Sequence, residues 1–163
     1  MVWPLWACTA FSQPIQTGKA FPSVSFPAVV TATGDTVAYD SFKGRWILLD
    51  FWATWCGPCV EELPLIGRAI EQFGDSLVVI SVSLDDSPGD VEAFRKRIHP
   101  MNWNHLFLGS DSQLVYDLDI STIPRPVLIA PDGTVAAYHT DLRGLNLIPT
   151  LAKALRAPVK TTD

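Results

Sequence analysis

The chain has 163 residues, 12 Lys plus Arg against 17 Asp plus Glu, and a formal net charge of −5. Apolar types make up 48% and charged types 18%, a balance that suits one packed domain and excludes a disordered tail, while the acidity without any basic run leaves a nucleic-acid role no electrostatic footprint. Three cysteines are too few for a disulfide-stapled scaffold, and no stretch reaches the roughly 20 apolar residues of a membrane-spanning helix.

Val2 to Phe11 is a short apolar run carrying Pro4, with no Lys or Arg ahead of it, like the back half of a secretory signal. Ala10-Phe11-Ser12 supplies small residues for cleavage before Gln13. Alternatively, Leu5-Trp6-Ala7-Cys8 resembles a lipoprotein box with Cys8 as the lipidated residue, although Trp6 fits it poorly. A disordered terminus is the third reading. Residues 1–20 are therefore expected to be residual signal and linker, 21–157 the domain, and 158–163 a polar tail.

The remainder alternates between strand and helix patterns. Ala28–Thr33 and Thr36–Tyr39, separated by Gly34-Asp35, predict a β-hairpin. Trp46–Trp52 is apolar except for Asp50, as expected of a strand covered on both faces. From Pro58 to Phe73 the apolar spacing becomes helical, and Gly74 ends the run. Leu77–Leu84 predicts a second buried strand. Ser87-Pro88 opens a helix to about Ile98, with basic residues near its end. Asp111–Asp117 predicts a short helix. Pro126–Ala130 and Thr134–His139 predict strands joined by the turn Pro131-Asp132-Gly133. Leu145–Arg156 predicts the closing helix. Pro126 removes a backbone donor, which suggests an edge or bulged position.

Chemistry concentrates at Trp55-Cys56-Gly57-Pro58-Cys59, where a buried strand turns into a helix. A thiol at a helix N-terminus faces unpaired N–H groups and the positive end of the helix dipole, which stabilises its thiolate. The Cys56 pKa is therefore expected to fall from about 8.5 toward roughly 7. Cys59, one helical turn on, can attack a mixed disulfide on Cys56. Pro58 suits the first turn because it has no N–H to waste, and Gly57 lets another backbone approach the sulfur. The competing use of a Cys-x-x-Cys pair is half of a zinc site, for which Cys8, His99, His105 and His139 are the remaining candidates. Zinc favours knuckle turns over a strand-to-helix junction, and 39 residues separate Cys59 from His99. No metal or cofactor is expected.

The segment from Asp50 to Cys59 (DFWATWCGPC) resembles the active-site signature of thioredoxins, and the domain as a whole resembles the exported TlpA/ResA group of thioredoxin-like thiol–disulfide oxidoreductases. The resemblance implies an α/β fold: a three-layer α/β/α arrangement on a mixed central sheet, with an N-terminal hairpin and a central insertion over about Asp85–Gly109. It implies that Asp50 handles the proton of the second thiol, that Pro64 kinks the active-site helix and that Glu62 lies near the dithiol. It also implies that Ile123-Pro124 is the cis-proline loop facing the dithiol and that Gly144 is the groove glycine. Relatives often carry Thr after that proline; here Arg125 and Pro126 follow.

Physical chemistry supports several of these roles independently. A buried Asp50 carboxylate is costly, and a raised pKa beside a reacting thiol is useful. Glu62 could equally be a solvated helix residue. Trp52 is expected in the core, and Trp55 on the docking surface. A cis bond at Pro124 can present the Ile123 backbone to an extended substrate strand. Arg125 either places a fixed positive charge near the dithiol, where it favours the Cys56 thiolate or selects an acidic partner as part of the substrate-binding surface, or points to solvent. The implied partners are disulfide-containing protein substrates and an upstream electron-donor protein, the implied state a monomer, and the implied location the cell envelope or periplasm, with or without an anchor; the alternative location is the cytoplasm. Net reduction is expected, because Gly-Pro between the cysteines resembles reducing thioredoxins. A peroxidase of the peroxiredoxin branch would need Pro at position 49 and Thr or Ser at position 53, where Leu49 and Ala53 stand. A non-catalytic module holding a partner or metal is the other alternative.

Overall fold

A computed structural model describes residues 14–156. The readings of Cys8, the signal segment and the polar tail lie outside the described residues.

Among the described residues, seven strands form one mixed sheet. They are β1 (Val29–Val30), β2 (Thr36–Val37), β3 (Trp46–Trp52), β4 (Leu77–Ser83), β5 (Asn104–Phe107), β6 (Arg125–Ile129) and β7 (Val135–Tyr138). Their order across the sheet is β2-β1-β5-β4-β3-β6-β7. β3 runs parallel to β4, and β4 to β5, whereas β3–β6, β6–β7, β1–β5 and β1–β2 are antiparallel. The helices are α1 (Gly57–Phe73), α2 (Pro88–Arg97), α3 (Gln113–Asp117) and α4 (Leu147–Arg156). The three-layer α/β/α arrangement on a mixed sheet is thus present, and among the described residues no helix is long and apolar enough to cross a membrane.

Side chains alternate across a strand, so β3 feeds both layers. Leu48 and Trp52 join the core under α1 and α4 together with Cys56, Cys59, Leu63, Ile66 and Leu151. Trp52 meets Phe94 of α2 edge-to-face at 5.4 Å. Ile47, Leu49 and Phe51 point the other way, toward Val29, Tyr39, Leu118 and Ile120. Among the described residues, that second layer holds the short α3 and the 3-10 turn Tyr39–Phe42; irregular N-terminal chain completes it. The same alternation places Asp50 on the α1 face.

Several elements differ from the sequence expectation. The hairpin is confined to two residues in each strand, because Tyr39 enters a 3-10 turn over Tyr39–Phe42. α1 starts at Gly57, one residue before Pro58, and α4 starts at Leu147 after a 3-10 turn over Gly144–Asn146. β7 stops at Tyr138 because His139 takes a left-handed φ of 52° that cannot continue a strand. β5 is an additional strand in the stretch after α2. Pro126 lies in an internal strand, since β6 is flanked by β3 and β7. The irregularity in that strand falls between Leu128 and Ile129. Pro126 is tolerated because pairing with β7 begins only at Val127, which leaves its rung paired to Asp50 of β3 alone.

Residues 15–20, expected as linker, pack onto the domain. Ile15 is buried in the α3-side core. Gly18 N–H donates to Val135 O, Val135 N–H to Lys19 O and Phe21 N–H to Gly133 O, each at 2.8 Å. This segment covers the outer edge of β7, which would otherwise present unpaired backbone groups.

Candidate active site

β3 ends at Trp52, and five positions later the chain enters α1 at Gly57. Cys56 is the N-cap of that helix: its backbone is extended and its Sγ accepts the N–H of Cys59 at 3.3 Å. This is the helix-end donor that sequence reasoning assigned to the nucleophile. Pro58 falls in the first turn, where its missing N–H costs nothing. Apart from its chain neighbours and its own helix backbone, nothing lies within 4 Å of a Cβ placed on Gly57. Cys56 and Cys59 are joined by a disulfide, and both are buried, Cys59 more deeply at 2% exposure against 6%. The structure is thus the oxidised form. Pro64 lies inside α1 and removes the bond that its N–H would have made to the carbonyl of Val60.

The turn before Cys56 is held from below by a buried carboxylate. Asp85, two residues past the end of β4 and 1% exposed, accepts from Thr54 N–H at 3.0 Å, from Thr54 Oγ1 at 2.6 Å and from Ser83 Oγ at 2.7 Å. In turn, the Asp85 N–H donates to Ser83 Oγ. These bonds satisfy the oxygens of a buried polar side chain and fix the strand-to-helix turn at once.

Asp50 lies 5% exposed opposite Pro126 and Ser81. Burial, then the nearby charge of Glu62, raises its pKa to about 7, with Arg143 opposing. Glu62 is not a solvated helix residue: its Oε1 accepts from Nε of Arg143 at 3.1 Å, with both side chains part-buried. His139 lies in the same neighbourhood; burial lowers its pKa, and Arg125 and Arg143 lower it further. Trp55, beside Cys56, is 66% exposed, whereas Trp52 is fully buried. Ile123-Pro124 is a cis peptide, and Ile123 packs against the core that contains both cysteines. Because Arg125 pairs with Phe51, this loop and the Cys56 turn share one end of the sheet. Gly144 takes a left-handed φ of 51° immediately after Arg143, and the following Leu145 is the most exposed large apolar residue described.

Arg125 differs from both sequence expectations. It shares the face of Val127 and Ile129, opposite to that of Asp50, and neither joins the dithiol nor points freely to solvent. Its guanidinium is bonded to Ser121, Thr122 and Tyr138. His99 and His105 flank Trp103, each 6.0 Å from it ring to ring, and among the described residues no three His, Cys, Asp or Glu side chains come together as metal ligands.

Sequence reasoning missed Arg143 and Asp85. Arg143 meets Glu62 from 81 residues away, and nothing in local periodicity reveals that. An acid directly after a buried strand was a usable signal for Asp85.

A mixed sheet carrying a Cys-x-x-Cys pair at a strand-to-helix junction, with a cis-proline loop at the same end, defines a thiol–disulfide oxidoreductase of thioredoxin-like fold. The pattern of the AhpC/TSA family matches residues 17–138, and the chain belongs to that family. It is 30% identical over 108 residues to the thiol-disulfide oxidoreductase ResA of Bacillus subtilis, covering 66% of this chain and 59% of that protein. It is 25% identical over 125 residues to the thioredoxin-like protein YneN of the same organism, covering 77% of this chain and 72% of that protein. Among solved structures, the thioredoxin domain of a thiol-disulfide oxidoreductase from Bacteroides vulgatus superposes with a TM-score of 0.74 at 26% identity, covering 87% of this chain and 99% of that one. Within the AhpC/TSA family this chain has Leu49 and Ala53 at the two positions considered for a peroxidatic motif, both fully buried and neither bearing a hydroxyl.

Proposed function

We propose that the chain reduces disulfide bonds in protein substrates outside the cytoplasm, with Cys56 as nucleophile and Cys59 as resolving thiol. The observation that carries this reading is the Cys59 N–H donated to Cys56 Sγ at a helix N-terminus, with Cys59 the deeper of the pair. In the reduced protein the Cys56 thiolate attacks one sulfur of a substrate disulfide. A Cys56–substrate bond forms, the substrate S–S bond breaks, and the departing sulfur leaves as thiolate and takes a proton. Asp50, on the face under α1, accepts the Cys59 proton. The Cys59 thiolate then attacks Cys56 Sγ, forms the intramolecular disulfide and releases the second substrate thiol. Two electrons pass to the substrate, and an upstream donor protein returns the pair to the dithiol. Glu62 adjusts the Asp50 carboxylate. Trp55, Gly57, Pro58, the Ile123-Pro124 backbone and Gly144 form the docking surface, to which an extended substrate segment pairs through its main chain.

Export is supported by the apolar run Val2–Phe11, and the cell envelope is the compartment where such chemistry is needed. The test is insulin reduction together with the redox potential. Wild type reduces insulin, Cys56→Ser does not, and Cys59→Ser accumulates mixed disulfides. Against glutathione the potential lies below about −200 mV, and a value near the −120 mV of strong oxidants reverses the direction of electron flow.

A further inference from the structure

Arg125 makes four hydrogen bonds with one guanidinium. Nε donates to the carbonyl of Thr122 at 3.2 Å, Nη2 to Thr122 Oγ1 at 2.5 Å and to Ser121 Oγ at 3.5 Å, and Nη1 to the Tyr138 hydroxyl at 2.7 Å. Its Cζ lies 5.5 Å from the centre of the Tyr138 ring. Three of these bonds reach the two residues directly before the cis Ile123-Pro124 peptide. The fourth reaches a different strand: Tyr138 ends β7 and is paired with Val127. Ser121 and Thr122 are themselves exposed, so little apolar packing of their own holds them.

We infer that Arg125 is a positioning residue for protein substrates: it clamps Ser121 and Thr122 to Tyr138 and so fixes the Ile123 backbone against which an extended substrate segment pairs. The inference rests on the proposed reduction of protein disulfides and names what holds its docking edge. Backbone pairing needs the edge in place before the substrate arrives, since ordering a loop on binding subtracts from affinity. A planar fork is required because the acceptors lie in two directions, toward the loop and toward β7; a lysine has the charge without the fork. A small disulfide reaches Cys56 without pairing along the chain and is therefore much less sensitive to the loop.

Single-turnover kinetics of the pre-reduced protein test this, with insulin and a small aromatic disulfide as the two oxidants, on wild type, Arg125→Lys, Arg125→Ala and Tyr138→Phe. For both Arg125 variants the half-saturating insulin concentration is expected to rise about tenfold, with the limiting rate changed less than threefold. Tyr138→Phe, which keeps the ring and loses one acceptor, is expected to show a smaller rise of about threefold. For every variant the effect on insulin exceeds that on the small disulfide at least threefold. If wild type reduces insulin but the variants match it, or lose both oxidants in proportion, the clamp is wrong and the proposed function stands. Rescue by lysine also refutes the clamp. If wild type fails to reduce insulin, the proposed function falls and the clamp with it.

Discussion

Asp50→Asn separates a useful buried carboxylate from a structural one. In the oxidised protein Asp50 rises from an ordinary 3.8 to about 7, through burial first and the charge of Glu62 second. At about 1.36 kcal/mol per pKa unit, folding disfavours the ionised form by about 4 kcal/mol as a ceiling. The sign follows from proton counts. Between pH 3.8 and about 7 the native state holds a proton that the unfolded state has released, so stability falls as pH rises through that window. Above the native pKa the full penalty persists. Asparagine is nearly isosteric and does not ionise, so Asp50→Asn is expected to be more stable than wild type at pH 8 and about equal to it below pH 3.8. Even half of the ceiling moves the thermal midpoint up by about 4–8 °C for a chain of this size. The same substitution is expected to slow resolution of the mixed disulfide by about 100-fold or more, the scale of a lost general base. Paired thermal unfolding of the oxidised proteins at the two pH values, and stopped-flow resolution by Cys59, measure both. An Asp50→Asn protein with wild-type stability at pH 8 and wild-type resolution refutes the reasoning.

Glu62 raises and Arg143 lowers the Asp50 pKa. Glu62→Gln is therefore expected to move the midpoint of the resolution–pH profile to lower pH, and Arg143→Gln to higher pH. Shifts in one common direction contradict the arrangement. Asp85→Ala strands the part-buried Thr54 N–H and hydroxyl and the buried Ser83 hydroxyl and is expected to cost about 2–4 kcal/mol in urea unfolding. A loss below about 1 kcal/mol shows that the Asp85 network does not hold the turn.

The parts legible in the sequence are those whose cause is local. Trp46–Trp52 matches β3 end to end because a strand buried on both faces is a continuous apolar run. α1 announces itself through its apolar spacing, its proline and its closing glycine. The dithiol and its helix end occupy adjacent positions, and the buried Asp50 stands alone among apolar neighbours. The parts not legible depend on partners far along the chain. β5 is four residues long and contains Asn104 and His105, whose polar atoms meet Val79 O and Met101 O. Composition alone marks such a segment as a loop. The Pro126 expectation followed from its missing N–H; where β7 begins its pairing decides the matter, and no short window carries that register. The orientation of Arg125 likewise follows from strand parity, which becomes readable only once β6 is placed against β3.

Selective alkylation of the reduced protein as a function of pH probes the ionisation of Cys56 directly. Cys56 is expected to react with iodoacetamide along a titration curve centred near pH 7, while Cys59 stays largely unmodified at neutral pH. Two thiols reacting alike, with a common midpoint near the about 8.5 of an ordinary cysteine, contradict a helix-end thiolate and the exchange chemistry derived from it.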